Sequence, residues 1–473
     1  MSFPRYPEYK HSGVEWLGEV PAHWKVISIK WMSPVLRGAS PRPIDDPKYF
    51  DENGEYAWVR IADVSASDGF LKETPQKLSA LGSSLSVKIA PGELFVSIAG
   101  SVGKPCISGI KACIHDGFVY FPRLKINPKL FYRIFESGTC YGGLGKWGTQ
   151  LNLNTDTIGS IRVALPPQEE LNHILAFLDQ ETAKIDALIA EQQRLIALLK
   201  EKRQAVISHA VTKGLTNLPG ANLNAVTSGG PKGERRDCAS SPNAPMKDSG
   251  IAWLGEVPAH WELKQLKHVV NPTTSITYGI VQAGPHYEGG IPYIKTSDMS
   301  GDSLPLEGYS LTSPEIDQAY ERSKVAKGDL VIAIRATVGK CLPVPDELDG
   351  ANLTQGTAKI SPGLNISKEY LLPAINASAT QAYFDHMAKG ATFKEITLDA
   401  LRRTPIALPP INEQIVISDY LKQETTKLDT LTAEAQRGIA LLKERRSALI
   451  SAAVTGKIDV RGFADSLPHS HPA

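Results

Sequence analysis

Catalytic signatures are the first thing missing from this chain of 473 residues. It contains no H-E-x-x-H that would hold a catalytic zinc and no G-x-S-x-G nucleophile elbow. The Asp/Asn-Pro-Pro-aromatic loop that grips a flipped adenine in amino-methyltransferases is missing too. The only Pro-Pro pairs are Pro166–Pro167 and Pro409–Pro410, which follow Leu and precede Gln or Ile. Cysteine is scarce. Cys106, Cys113, Cys140, Cys238 and Cys341 are odd in number and never spaced as CxxC, which argues against a disulfide framework and a zinc site. No apolar run approaches about 18 residues, and Met1–Lys30 lacks the shape of a signal peptide. A cytoplasmic protein with no membrane role is expected. Charge of one sign is also missing: 51 Lys and Arg face 50 Asp and Glu, so any surface for nucleic acid must be local.

What is present is repetition. Leu165–Thr212 returns at Leu408–Thr455, shifted by 243 residues without a gap, and about three positions in five are identical. Both copies carry apolar residues every seven positions. In the first these are Leu171, Leu178, Ile185, Leu199 and Val206, with Ile174, Leu188 and Leu195 between them. In the second they are Leu421, Leu428, Leu442 and Leu449, with Ile417 and Leu431. Such a stripe predicts a long helix packed along its length against another helix. The Pro-Pro pairs suit the helix starts, and Glu169, Glu170 and Glu413 suit the positive end of the helix dipole. The natural partner of each copy is the other. An antiparallel pair brings the end of the first helix beside the start of the second, so a compact domain bridges them. The packing positions expected are Leu178, Ile185, Leu188, Leu199, Leu421, Leu428, Leu431 and Leu442.

A second repeat opens each half: SGVEWLGEVPAHW at Ser12–Trp24 and SGIAWLGEVPAHW at Ser249–Trp261. Trp58–Asp63 answers Tyr293–Asp298, and the strand-like Glu93–Ile98 with Gly103-Lys104 answers Asp329–Ile334 with Gly339-Lys340. Between these matches the halves have little in common. The fold class expected is α+β: two mixed α/β domains separated by two long helices that form an antiparallel, pseudo-two-fold coiled coil. The division runs 1–164, helix 165–214, flexible Gly/Pro/Ser/Asn-rich linker 215–248, 249–407, helix 408–457 and tail 458–473. Phe118–Phe121 and Thr357–Ile360 read as further strands, Asn127–Gly138 and Ser367–Ser378 as helices. Gly100-Ser-Val-Gly103-Lys104 fails the P-loop pattern, because Ile98 replaces the first Gly and Pro105 the Ser or Thr. It reads as a strand followed by a tight turn. His23 and His260, each in AHW, read as packing or capping residues.

With the alternation, the WLGEVPAHW entrance, the Trp58–Asp63 block, the Gly148–Asn154 run GTQLNLN and the LPPxxEQ-type helix start in view, the chain resembles type I restriction–modification specificity subunits from Tyr9 to about Lys457. It departs from the family pattern at Leu171, where the second copy has Gln414, at Phe393–Thr397 and in the length of Leu215–Ala244. The resemblance implies a non-catalytic subunit whose two target-recognition domains each read half of a bipartite double-stranded DNA site. It implies that the paired helices set the half-site spacing and carry two methyltransferase (modification) subunits, which restriction subunits join. It leaves S-adenosylmethionine, ATP and magnesium on those partners and no cofactor on this chain. Two other classes remain open: a stand-alone DNA methyltransferase, and a coiled-coil scaffold with no DNA role.

Lys25–Ala164 carries 17 Lys/Arg against 12 Asp/Glu, and Glu262–Leu408 carries 14 against 16. The second domain must therefore concentrate its positive charge on one face or lean on its partners. The DNA contacts expected are Arg37, Arg42, Arg60, Lys104, Lys146, Gln150 and Asn152 in the first domain. In the second they are Lys295, Arg335, Lys340, Lys389, Thr392 and Lys394. Arg, Gln and Asn suit base edges, Lys and Thr suit phosphates.

Overall fold

The computed structural model describes residues 3–142, 144, 153–215, 218, 245–390 and 394–466, the last three as backbone only. The chain forms two compact units, Met1–Gln193 with Gln436–Ala473, and Arg194–Ala435.

The unit built from Met1–Gln193 and Gln436–Ala473 holds the first α/β domain. A five-stranded sheet runs in the order Leu36–Arg37, Phe118–Tyr120, Leu94–Ser97, Pro105–Ser108, Phe70–Leu71. A four-stranded sheet runs Lys77–Leu78, Tyr56–Val59, Ala112–Ile114, Val87–Ile89. Val59, Phe95, Cys106, Ile114 and Phe118 are buried together. Helix Pro128–Ser137 has the predicted ends: the Asn127 carboxamide accepts from Lys129 N, and Gly138 closes it at φ +70°, a conformation that glycine enters without a Cβ penalty. Entry and exit of the domain are tied together. Lys25–Ser28 pairs antiparallel with Arg162–Leu165, directly before the long helix Gln168–Lys213.

The unit built from Arg194–Ala435 repeats this plan with fewer strands. Its sheets are Thr277–Tyr278, Thr357–Ile360, Leu330–Ala333, Cys341–Pro343, and Ser310–Thr312, Ile291–Ile294, Asn352–Leu353. The neck recurs as Glu262–Gln265 paired with Pro405–Leu408, before the long helix Ile411–Val454. Ser367 caps helix Lys368–Asn376 through Tyr370 N. A further helix, Ser378–Met387, was not foreseen from the sequence.

Segments of the two long helices pack antiparallel in each unit. In the first, Asp186 meets Arg446, with Nε to Oδ1 at 2.9 Å, and Phe177 meets Phe463 in the 3-10 turn that follows the second helix, so numbers rise on one chain as they fall on the other. In the second, Gly214 lies near Glu413 and Arg203 Nε donates to Asp429 Oδ1 at 2.9 Å. Asp186 and Asp429 are equivalent across the 243-residue repeat, as are Arg203 and Arg446. The same ion pair is therefore made twice with the copies exchanged.

Leu178, Ile185, Leu199, Leu421 and Leu428 are buried and Leu442 is half-buried, as the heptads require. Leu188 and Leu431 are not in the seam: they are 52% and 48% exposed. They too are equivalent across the repeat. In mid-helix the seam is flanked by the residue four after the primary position, Ile189 after Ile185 and Thr432 after Leu428, so the residue three after it faces outward. The prolines are also placed more finely than expected. Pro167 and Pro410 stand just before the first turn and their carbonyls accept from Leu171 N and Gln414 N.

The repeated AHW locks each domain to a helix start. Glu170, buried in the first turn, accepts from Trp24 Nε1 at 3.0 Å and from the Tyr6 hydroxyl, and lies 2.8 Å from His23 Nε2. Burial and then the bond to Glu170 push the Tyr6 phenol well above its ordinary value, so it stays a donor. Glu413 repeats the arrangement with Trp261 Nε1 at 3.1 Å and His260 Nε2 at 2.9 Å. The histidines are thus packing and capping residues. At the same turn Leu171 is fully buried, whereas its counterpart Gln414 donates to the carbonyls of Asn365 and Pro409 and accepts from Ser367 N.

The domains are seated on the helices by different chemistry. In the first, Arg133 donates to Glu136, Asp179 and Thr182, Lys129 donates to Asp179, and Arg446 bridges Glu136 and Asp186. In the second, the bonds among the described residues include neutral ones: Gln204 donates to Asn376 O, Ser378 N to Ser208 Oγ, and Tyr370 to Val211 O.

Two outcomes follow. Glu170→Ala strips a buried acceptor from three partners and is expected to cost about 2–4 kcal/mol, against about 1–2 kcal/mol for Glu413→Ala; urea unfolding of the two variants checks the order. Burial raises the Asp179 carboxyl, but the hydrogen bonds from Lys129 and Arg133 outweigh it and hold the carboxyl below the usual range. A depressed carboxylate contributes stability that is full above its unfolded value of about 4 and is lost as pH falls through the folded value. Stability measured from pH 7 to pH 3 should therefore fall less steeply below about pH 4 in Asp179→Asn than in the parent.

Candidate nucleic-acid interface

Strand register builds one rim at the end of each domain. In the first domain Tyr56–Val59 and Ala112–Ile114 are parallel with Val59 opposite Ile114, so both chains leave the sheet at the same end. The residues that follow are Arg60 and His115-Asp116-Gly117. The chain leaving Leu36–Arg37 is laid across them: Gly38 N donates to Phe118 O and Ala39 N to Ile114 O. Only glycine fits at position 38, where a Cβ would stand 2.2 Å from His115 O.

Asp116 gathers the side chains of this rim. Its carboxylate accepts from Arg42 at 2.8 Å and from Ser40 Oγ at 3.1 Å, and its carbonyl accepts from Arg37 Nε. Burial raises the Asp116 carboxyl, but Ser40, Arg42 and the neighbouring charges lower it further, so it stays ionised. Burial lowers His115, as do the charges of Arg60 and Arg37, against the opposing pull of Asp116. Arg60 precedes helix Ile61–Ala66, with its N–H on Asp63 Oδ2 and its guanidinium on Gln76 Oε1. Three of the expected residues, Arg37, Arg42 and Arg60, are thereby brought to one place.

In the second domain Ile294 stands opposite Leu353, and Lys295 and Thr354-Gln355-Gly356 follow. Gly279 N donates to Thr354 O, Ile280 N to Leu353 O, and Gln355 N to Ile280 O. Lys295 repeats the Arg60 cap through Asp298 and donates to Ser310 Oγ at 2.8 Å. Arg335, Lys389 and Lys394 meet around Glu395. Lys389 and Glu395 exchange backbone hydrogen bonds, Ala336 N donates to Lys394 O, and Arg335 Nε lies 3.0 Å from Glu395 Oε1, too oblique for a hydrogen bond.

Lys104 and Lys340 have work inside the fold. Lys104 Nζ donates to the carbonyls of Ser65 and Ser67 at the end of helix Ile61–Ala66, and Lys340 Nζ donates to Ser300 O after the 3-10 turn Thr296–Met299. Each ammonium closes a helix end, Lys104 with two of its three N–H donors and Lys340 with one, so each keeps a donor for a phosphate. Lys146, Gln150, Asn152 and Thr392 lie outside the described residues. Sequence reasoning passed over His115, Asp116, Gln76, Tyr278, Val281 and Gln355. The available signal was weak: CIHDGF and NLTQGT align only through one glycine. It also passed over Gly143-Leu-Gly-Lys-Trp-Gly148, which has dinucleotide-loop spacing. The element before it is the 3-10 turn Thr139–Tyr141 rather than the strand such a loop requires.

Two domains of one plan, each presenting polar side chains from strand ends and each followed by a long helix, define a duplicated recognition protein. Residues 21–198 and 258–439 match the family model of the type I restriction modification DNA specificity domain. The chain belongs to this family. It is 25% identical over 319 residues to the type I restriction enzyme EcoBI specificity subunit of Escherichia coli, a match covering 67% of this chain and 63% of that protein, less than two thirds of its length. It is 23% identical over 467 residues to the putative type I restriction enzyme MjaX specificity subunit of Methanocaldococcus jannaschii, covering 94% and 96%. In fold it resembles a chain solved in work titled as the structural basis of complex assembly and conformational transition of the type I R-M system, with TM-score 0.62, 18% identity and coverage of 92% and 98%. The family assignment accordingly favours a specificity subunit over a stand-alone methyltransferase or a scaffold without a DNA role. Among the described residues no helix is long and apolar enough to cross a membrane.

Proposed function

We propose that each α/β domain reads one half of a bipartite site in double-stranded DNA, and that the long helices set the half-site separation and carry two methyltransferase (modification) subunits. The observation that carries this reading is the neck. Each domain enters and leaves through one antiparallel strand pair, Lys25–Ser28 with Arg162–Leu165 and Glu262–Gln265 with Pro405–Leu408, so its interior can vary without disturbing the helix that follows. The rims at strand ends supply arginine, lysine and amide groups suited to base edges and phosphates. Arg37, Arg42, Arg60, Lys295, Arg335, Lys389 and Lys394 are the described contacts we assign, with Lys146, Gln150, Asn152 and Thr392 kept from the sequence.

Exposed leucines on the helices, Leu188 and Leu441 in one unit and Leu195, Leu198 and Leu431 in the other, offer the modification subunits apolar surface. Restriction subunits join through those partners. S-adenosylmethionine, ATP and magnesium belong to the partner subunits, and the assembly works in the cytoplasm. The domain limits assigned are 1–164 and 249–407, with helices at 165–214 and 408–457, a linker at 215–248 and a tail from 458. The first domain's excess of five positive charges and the second's excess of two negative ones make DNA binding by the isolated chain weak and strongly salt-dependent.

Exchanging Lys25–Ala164 for the matching region of a relative tests the modular reading. Methylome sequencing of cells that carry the modification subunits should then show one half of the methylated motif changed and the other half kept. A change in both halves contradicts independent half-site reading.

A further inference from the structure

The two rims share a scaffold and differ in what they display. Register fixes the correspondence. Arg37 stands opposite Val119, and Tyr278 stands opposite Ala358, at the same place in the two sheets. Counting on through Gly38 and Gly279, which make the same close approach to the neighbouring strand, Ser40 corresponds to Val281. From the parallel pairs, Asp116 corresponds to Gln355.

In the first domain the display is cationic and oriented. One carboxylate holds Arg42 and Ser40 while the same residue's carbonyl holds Arg37. An ion pair this exposed contributes little to stability, the Arg42 side chain being 74% exposed, so its effect is on direction. Both guanidinium groups are gripped at one end and keep donors free. A forked donor held in place is what the O6 and N7 acceptors of guanine take in the major groove.

In the second domain the same positions are neutral. Tyr278 is 43% exposed and Val281, three residues beyond that strand, 48%, large values for side chains with apolar bodies. Gln355 sits beside them, its N–H fixed on Ile280 O, and its carboxamide makes no hydrogen bond among the described residues. A free carboxamide takes adenine at N6 and N7, and an apolar neighbour takes the thymine methyl. The cations of this rim are engaged, Lys295 with Ser310 and Arg335 with Glu395, which leaves the neutral groups to meet the bases and Lys295 and Arg335 to meet phosphates.

We propose that the two rims divide the DNA target by base class: Arg37 and Arg42, steadied by Asp116, read guanine in the half-site of the first domain, and Gln355 with Val281 and Tyr278 reads an A·T pair in the half-site of the second. Asp116 is on this account a positioning residue that acts through the arginines. The proposal rests on the half-site reading above and deepens it.

The test uses the complex with its modification subunits. Methylome sequencing of the parent first defines the motif; a parent that methylates no two-part motif rejects the half-site reading itself. Given a two-part motif, Arg42→Ala and Asp116→Asn should both relax the same G·C position in one half, by about tenfold in preference, and leave the other half unchanged. Gln355→Ala should relax an A·T position in the other half only. Relaxation of the opposite base class, or an unaltered motif in a variant that still methylates, overturns the proposal. For a variant that no longer methylates, binding by the purified parent complex decides. Replacing each guanine of the first half by 7-deazaguanine, and each thymine of the second by uracil, should weaken binding at one position or more in each half. No loss in either half overturns it.

Discussion

The structure depends on a helix that can pair with its own repeat. Apolar residues at Leu178 and Ile185 in one unit, and at Leu421 and Leu428 in the other, bury the same seam of two copies of one sequence. The Asp186–Arg446 and Arg203–Asp429 bridges are one interaction made with the copies exchanged. Because the segments run antiparallel, what lies at the start of each helix also recurs. Glu170 receives Trp24 and His23 as Glu413 receives Trp261 and His260. A carboxylate at the positive end of a helix, buried at Glu170 and half-buried at Glu413 and satisfied by an indole and an imidazole, fixes where a domain meets its helix.

That arrangement separates what must stay constant from what is free to change. Necks and helix starts are duplicated in geometry, and the Trp24–Glu170 and Asp186–Arg446 contacts are duplicated residue for residue in Trp261–Glu413 and Asp429–Arg203. The strand ends that face outward are duplicated only in backbone. Gly38 and Gly279 allow the same close crossing, while Arg37 and Tyr278, or Asp116 and Gln355, occupy matched sites with unrelated chemistry. Specificity by hydrogen-bond pattern needs this division, since a base edge is read by side chains whose positions the backbone has already set.

Much of this was legible in the sequence because it is periodic or local. The helices and the Asn127 and Gly138 helix ends depend on neighbours within a few turns and folded as their spacing requires, while the doubled AHW was legible because it is repeated. Leu188 and Leu431 were misplaced because heptad spacing does not say which neighbour flanks the seam, and the structure uses Ile189 and Thr432. The rim was less legible. Asp116 matters through Arg37, Ser40 and Arg42, some 75 residues earlier in the chain, and only strand pairing brings them together. Lys104 and Lys340 look free at the tips of turns, but each folds back on a helix end that sequence spacing does not reveal.

The central claim, that paired helices hold two reading domains at a set separation, is tested by lengthening them in phase. Seven residues inserted after Ala190, with seven more after Ala433, keep the apolar seam aligned and add about 10 Å of helix, some three base pairs of DNA at about 3.4 Å each. The methylated motif of that variant should keep both half-sites and widen the unspecified gap between them by a few base pairs. A variant that assembles and methylates with its gap unchanged would contradict the account.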